Sequence, residues 1–326
     1  MKTCQSRTSA ARRPAKTPCS DLTIATACDA NYFWGAFLLT ASLRQNRIGA
    51  PIHVLAKGFD AERIGMLEQF RDVRVIPLTP DNPRSLITIK PYALATARTK
   101  WLAWLDADCM AIGDVGTLLP PENGSFQIRL REPAENADIY GDKYRAGDRR
   151  GGYPAWVLER WRGDVGDLQQ PRQDTAAVAN AFVLHEKHRD FLQLWDQQMQ
   201  KVIPSCSTLM DSHLGAYHMS DESVLNSLLA FSSIAPPVGP FQLNRHPERH
   251  VAHFGGKAKP WVRWTSGSWY CYEPIQRLLA WLRAEGHKMP PLPPSLQPRR
   301  KLAMRAGVLA AAWKTGAKRA MRRVIR

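Results

Sequence analysis

Trp101-Leu102-Ala103-Trp104-Leu105-Asp106-Ala107-Asp108 is an apolar run that stops on two carboxylates. Five apolar residues in a row, without Gly or Pro, have the length and composition of a strand buried on both faces. Side chains at i and i+2 of an extended segment point the same way, so Asp106 and Asp108 can offer oxygens to one hard divalent cation. Such a cation can in turn bind a diphosphate. The pair taken alone also fits a solvated turn, and its partners elsewhere in the chain decide between the two.

Upstream of this run, strand-like segments (Leu22 to Ala27, Ile52 to Ala56, Val73 to Pro77) alternate with helix-length ones (Tyr32 to Arg44, Asp60 to Gln69, roughly Ser85 to Arg98). Alternation at this spacing predicts βαβ units: an α/β fold with a mostly parallel sheet and helices on both faces. Ligands of such sheets gather at the C-terminal strand ends, where Asp29 and Asp106 fall. Beyond Asp108 the pattern loosens. Residues 129 to 174 read as a long irregular segment with one short helical piece at Ala155 to Trp161. Periodicity returns with a strand at Ala181 to Leu184, a helix from about Glu186 to Met199, and another from Ser220 to Phe231. Ser220 and Asp221 are the capping candidates of that last helix.

The formal net charge of +16 and a pI near 9.9 raise the possibility of a nucleic-acid binder. The distribution of charge argues against it. Residues 1 to 20 hold five Lys or Arg and no acid, and residues 299 to 326 hold ten and no acid, which leaves 30 basic and 29 acidic residues between them. The body is close to neutral, and no nucleic-acid reader motif is evident. Cys4, Cys19, Cys28, Cys109, Cys206 and Cys271 form no CxxC pair, which favours a reducing compartment. No apolar run follows the N-terminal charges, and none approaches the ~20 residues of a bilayer span. The expected location is cytoplasmic or on the cytosolic face of a membrane.

Four units are expected: a basic disordered tail (1–20), one large domain (21–287), a Pro-rich linker (288–298) and a C-terminal helix (299–326). In that helix Leu302, Ala306, Leu309, Trp313, Ala317, Ala320 and Val324 share one stripe. Lys301, Arg305, Lys314, Lys318, Arg319, Arg322, Arg323 and Arg326 crowd the rest. A basic amphipathic helix of this kind lies in an anionic membrane interface. The alternative is a helix folded back on the body with its charges solvated.

Four clusters fit one chemistry. Ile24 to Tyr32 ends a strand with Asp29 and Asn31, polar groups suited to a nucleobase and ribose, and has no GxGxxG fingerprint. Lys90 lies on the helix before the Asp106 strand, where its charge can reach the same crevice. Asp221-Glu222-Ser223-Val224-Leu225-Asn226 is an acidic helix start. The fourth is His253-Phe254-Gly255-Gly256-Lys257-Ala258-Lys259-Pro260-Trp261. There His253 offers an imidazole, the glycines let backbone approach phosphate oxygens, and Lys259 supplies a point charge. Two carboxylates and an imidazole suit Mn²⁺ or Mg²⁺; a structural zinc would want thiolates.

In this order, the Ile24–Tyr32 series, Lys90, Asp106-Ala107-Asp108, Asn180, Asp221 to Asn226 and HFGGKAKPW resemble glycosyltransferase family 8, over roughly residues 22 to 262. The HxxGxxKPW pattern is the specific part. The resemblance implies a GT-A type nucleotide-diphospho-sugar transferase fold and a retaining hexosyltransferase. Asp106, Asp108 and His253 would hold Mn²⁺ (or Mg²⁺) against the diphosphate of a UDP-sugar. Lys259 and Gly256 would meet the phosphates, and Ala27, Asp29, Asn31, Ala107 and Asn180 would line the donor site. Lys90, Asp221 and Glu222 would sit at the reacting sugar. A glycan or glycolipid acceptor, such as a lipopolysaccharide core, follows from the family and the tail.

Two departures from the family pattern stand out. Glu222 places a carboxylate where an amide is usual, which leaves open front-side attack or Glu222 as a covalent nucleophile. Ala181-Phe182 replaces a small residue and a glycine, which leaves open a sugar pocket narrowed by Phe182 or a different local alignment. These departures also keep open a catalytically silent sugar-nucleotide binder.

Overall fold

The computed structural model describes residues 21–79, 81–82, 84–113, 115, 124–149, 151–204, 212–241, 250–256 and 258–324. A seven-stranded sheet runs through the body in the order β3-β2-β1-β4-β7-β6-β8. Its strands are β1 (Leu22–Asp29), β2 (Ile52–Lys57), β3 (Val73–Pro77), β4 (Trp101–Leu105), β6 (Phe126–Leu130), β7 (Ala177–His185) and β8 (Val238–Pro240). The first four are mutually parallel, as the alternation predicts. β7 then runs antiparallel to β4, with Leu105 opposite Ala181, and antiparallel to β6, which pairs parallel with β8.

Alternate residues of β4 explain why both faces are covered. Trp101, Ala103 and Leu105 join the core under α1 (Phe33–Gln45), α2 (Ala61–Glu68) and α8 (Tyr272–Ala284). Leu102 and Trp104 join the opposite core under α3 (Lys90–Ala95), α5 (Ala155–Val165), α6 (Arg189–Val202) and α7 (Asp221–Phe231). A strand with helices on both faces has no solvent face, so its sequence is apolar without alternation. At roughly 25 cal/mol per Å² of apolar surface, these two cores carry most of the stabilisation.

The structure corrects several local expectations. The Ser85 to Arg98 helix is only α3, because Pro91 lacks an N–H and excludes a preceding turn, and it fits as the second helical residue. Ser220 does not cap α7 through its side chain; it sits at φ +49°, and Asp221 is already helical. The segment from 129 onward holds a further helix, α4 (Pro133–Tyr140), closed by a reciprocal Glu132–Glu135 capping box. α8 and β6 were not anticipated.

β5 (Cys109–Ala111) and β9 (Val251–His253) form a separate antiparallel ribbon in which Cys109 lies opposite His253. The Pro-rich stretch runs against the body: the Ser295 carbonyl accepts from Trp264 Nε1 at 2.6 Å, and Leu296 is fully buried. Helix α9 (Lys301–Val324) begins on the body, with Val308 buried and Met304 packed against the same core. Its apolar stripe faces away, Leu302 being 82% and Trp313 83% exposed. The side chains of Ala317, Lys318, Arg319, Ala320, Arg322, Arg323 and Val324, together with Arg326, Lys257 and the 1–20 tail, lie outside the described residues. No helix among the described residues is long and apolar enough to cross a membrane.

Candidate active site

The site forms where β4 ends and the β5–β9 ribbon begins. Pairing of Cys109 with His253, extended by the Phe254 N–H donating to the Asp108 carbonyl at 2.9 Å, brings a distant imidazole beside the aspartates. His253 Nε2 stands 3.3 Å from Asp108 Oδ1 and 3.9 Å from Asp106 Oδ2. One ligand atom from each of the three residues lies within 4.8 Å of the others. Two carboxylates and one imidazole at this separation suit a divalent cation that prefers oxygen. The expected convergence of Asp106, Asp108 and His253 is therefore present.

Each aspartate keeps its other oxygen for a buried lysine. Asp106 Oδ1 accepts from Trp104 Nε1 at 2.7 Å and faces Lys90 Nζ at 3.0 Å. Lys90, the first residue of α3, also reaches Asp221 Oδ2 at 2.7 Å and donates to the Ala179 carbonyl at 2.8 Å. Asp108 Oδ2 accepts from Lys259, which also donates to the Phe254 carbonyl at 2.6 Å. The ammonium of Lys259 lies over the Tyr32 ring, 5.3 Å from its centre, which links the HFGGKAKPW segment to the end of the first cluster.

Proton affinities follow from this packing. Burial alone would lower the pKa of Lys90, but the carboxylates of Asp106 and Asp221 more than reverse that and hold it above the ordinary lysine value. Burial raises Asp106, with Lys90 opposing. Burial also works on Asp108, yet His253 and Lys259 outweigh it and bring its pKa to about 2. His253 is raised: desolvation opposes the proton, and the Asp108 carboxylate favours it more strongly.

β7 fastens Glu222 and adjoins Asp106. The Ala179 N–H donates to Glu222 Oε2 at 3.2 Å, and Glu222 Oε1 accepts from the guanidinium of Arg131. Both carboxylate oxygens are thus engaged, and burial raises the Glu222 pKa against the pull of Arg131. The Asn180 carbonyl accepts from the Asp106 N–H at 2.9 Å, while its side-chain Oδ1 is buried without a hydrogen-bond partner. Ala27 lies near the end of β1, and Asp29 ends it, its Oδ1 accepting from the N–H groups of Asn31 and Tyr32 at 3.0 and 3.2 Å. Gly256 has φ +78°, a conformation that favours glycine.

Phe182 does not narrow this site. It is fully buried in the core under α3, α5, α6 and α7, edge-on to Phe126 with ring centres 5.3 Å apart. Period-2 alternation sends it to the face opposite Ala181. Two residues escaped the sequence reading. Arg131 lies in the stretch whose periodicity is obscured, with only its charge as a signal. Gly35, inside α1, has the Ala107 carbonyl oxygen 2.4 Å from where a Cβ would stand and Trp261 at 2.7 Å. A glycine within an otherwise apolar helix was the available hint of that close approach.

This architecture is shared with solved glycosyltransferases. The apo structure of the bifunctional glycosyltransferase WbbM matches with a TM-score of 0.50 at 15% identity, covering 76% of this chain and 48% of that one. The galactosyltransferase LgtC, in complex with donor and acceptor sugar analogues, matches at 0.50 and 15% over 82% of this chain and 97% of its own. The glycosyltransferase GlyE of Streptococcus pneumoniae TIGR4 matches at 0.50 and 13%, over 83% and 65%. The chain therefore spans about half the length of WbbM and 65% of GlyE. No protein-family model and no curated protein matches the sequence. At these identities the likeness defines the fold, a GT-A type fold shared with these solved glycosyltransferases.

Proposed function

We propose that this chain is a metal-dependent, retaining glycosyltransferase that moves a hexose from a UDP-sugar to a membrane-associated glycan or glycolipid. The observation that carries this reading is the convergence of Asp106, Asp108 and His253 within 4.8 Å at the strand ends of this fold. These three would hold Mn²⁺ or Mg²⁺, which supplies positive charge for the diphosphate of the donor.

The remaining steps belong to the chain's own residues. Lys259 and the Gly256 backbone bind the phosphates, and Asp29 and Asn31 meet the uridine. Ala27 and Ala107 line the donor site around them. The unpartnered Oδ1 of Asn180 accepts from a sugar hydroxyl, since a buried acceptor of this kind calls for a donor. Lys90 and Asp221 hold the sugar side, and Lys259 supplies positive charge at the diphosphate, where bond cleavage develops negative charge.

Glu222 is supported as a positioning group. Each of its two oxygens already accepts a hydrogen bond, from Arg131 and from the Ala179 N–H, which holds the carboxylate in place and lowers its nucleophilicity. This favours front-side attack, in which the acceptor hydroxyl bonds to the anomeric carbon as the UDP oxygen leaves and the departing phosphate takes the hydroxyl proton.

Helix α9 supports a peripheral membrane site on a cytosolic face. Leu302, Leu309 and Trp313 are exposed beside Lys301, Arg305 and Lys314, while Val308 ties the helix to the body. Apolar residues turned outward among cations match an anionic lipid interface. The functional test is incubation with Mn²⁺ and a panel of UDP-sugars, followed by detection of UDP release and transfer. The reading expects one donor to be hydrolysed or transferred with retention of configuration; no turnover and no binding of any UDP-sugar would overturn it.

A further inference from the structure

Lys259 stands against a group it must relinquish. Lys259 is 5% exposed, and its ammonium is held by Asp108 Oδ2 and the Phe254 carbonyl. Asp108 turns its other oxygen to His253 Nε2, 3.3 Å away, and so belongs at once to the three-residue cation site and to the lysine. A divalent ion brought to Asp106, Asp108 and His253 shares the Asp108 carboxylate with Lys259 and repels it. The face of Tyr32, in the segment of Asp29 and Asn31, offers the ammonium a second resting place.

We infer that Lys259 is an exchangeable counter-ion of Asp108 that makes cation binding and diphosphate binding cooperative. Without a divalent ion the ammonium neutralises Asp108. When the ion takes that carboxylate, Lys259 is freed from it and turns to a diphosphate oxygen. A diphosphate arriving first draws the lysine from Asp108 and exposes the carboxylate to the ion. Each ligand therefore removes the competitor of the other, and the coupling is reciprocal by linkage. This goes beyond a phosphate contact, because the lysine acts on the metal site before any donor is present; it rests on the sugar-nucleotide reading given above.

The contrast with Lys90 sharpens the assignment. Lys90 is pinned by Asp106, Asp221 and the Ala179 carbonyl, so loss of Asp106 leaves it two partners. Lys259 has one carboxylate and one carbonyl, and loss of the carboxylate frees it. The motion is one of the side chain alone, since the Lys259 carbonyl is held by the N–H groups of Val262 and Arg263 at 2.8 and 2.7 Å.

The test is calorimetric titration of Mn²⁺ with and without saturating UDP, on the full chain and on Lys259→Met, with Lys259→Arg as the charge-retaining control. In the unaltered protein UDP should tighten Mn²⁺ by about tenfold or more. In Lys259→Met, Mn²⁺ alone should bind equally or more tightly, and the enhancement by UDP should shrink by about threefold or more, to the part that direct attraction between the ion and the diphosphate supplies; Lys259→Arg should restore most of the difference. A Met variant that keeps the full enhancement, or that binds Mn²⁺ alone severalfold more weakly, overturns the inference while leaving the glycosyltransferase reading intact. If the unaltered protein binds neither Mn²⁺ nor UDP, the reading itself fails and takes the inference with it. A second measurement needs no variant: amine acylation of Lys259, followed by mass spectrometry, should be slow in the free protein, faster with Mg²⁺, and slow again with Mg²⁺ and UDP. A rate unchanged by Mg²⁺ overturns the inference.

Discussion

Arg131 and Glu222 form an ion pair inside the protein, and the pair is bolted to β7 through the Ala179 N–H. Removing one partner of a buried pair strands the other charge, at a cost of about 3–5 kcal/mol. Arg131→Met and Glu222→Gln should each lower stability by amounts of that order, whereas the double variant should recover much of the loss. A double-mutant cycle by urea denaturation measures the coupling. Additive losses would mean that the two charges do not sense each other.

The same pair bears on mechanism. Below its unfolding temperature Glu222→Gln should keep a transfer rate within about tenfold of the unaltered protein, since losing a covalent nucleophile costs about 10⁴-fold or more. A glycosyl adduct trapped on Glu222 would contradict front-side attack.

Lys90 balances two buried carboxylates, so Lys90→Met should destabilise by about 3–5 kcal/mol. Chemical denaturation checks this. A loss under about 1 kcal/mol would place the pairs with solvated surface bridges.

His218 is buried against Tyr140, and burial, then the nearby Lys143 charge, hold its pKa below the ordinary 6.5. The unfolded chain therefore takes up this proton first. Stability is full above about pH 6.5 and falls as the pH drops below it toward the folded value. His53 shifts in the same direction, also chiefly through burial. His218→Phe should thus shrink the stability difference between about pH 7.5 and about pH 5.5. An unchanged difference would remove His218 from the acid response.

Replacing Leu302, Leu309 and Trp313 together with Ser should reduce sedimentation with anionic vesicles by about tenfold or more, because each buried aliphatic side chain contributes ~1.5–3 kcal/mol. The melting temperature should stay within a few degrees, since all three are exposed. Undiminished vesicle binding would assign the interaction to charge alone.

The parallel half of the sheet was legible because β4, with helices on both faces, is apolar throughout, and because β1, β2 and β3 alternate with helix-length segments. The Asp106-Ala107-Asp108 and HFGGKAKPW segments announced the three converging residues, Asp106, Asp108 and His253, through residue type and spacing. How His253 arrives was not legible, because β5 and β9 are three-residue strands whose pairing depends on tertiary contacts rather than periodicity. Arg131 was missed for a related reason: a buried ion pair between residues 91 positions apart leaves no local pattern. Phe182 was misplaced because a family comparison gives the residue type at a position but not the neighbours, here Phe126 and Trp195, that bury it.

The central claim is that Asp106, Asp108 and His253 hold one cation together. Pulsed electron paramagnetic resonance of Mn²⁺ added to the full chain tests it directly. One ion per chain should bind with an imidazole nitrogen coupling that disappears in His253→Ala, and binding should be lost in the Asp106→Asn, Asp108→Asn double variant. Absence of binding, or a nitrogen coupling that survives loss of His253, would contradict the account.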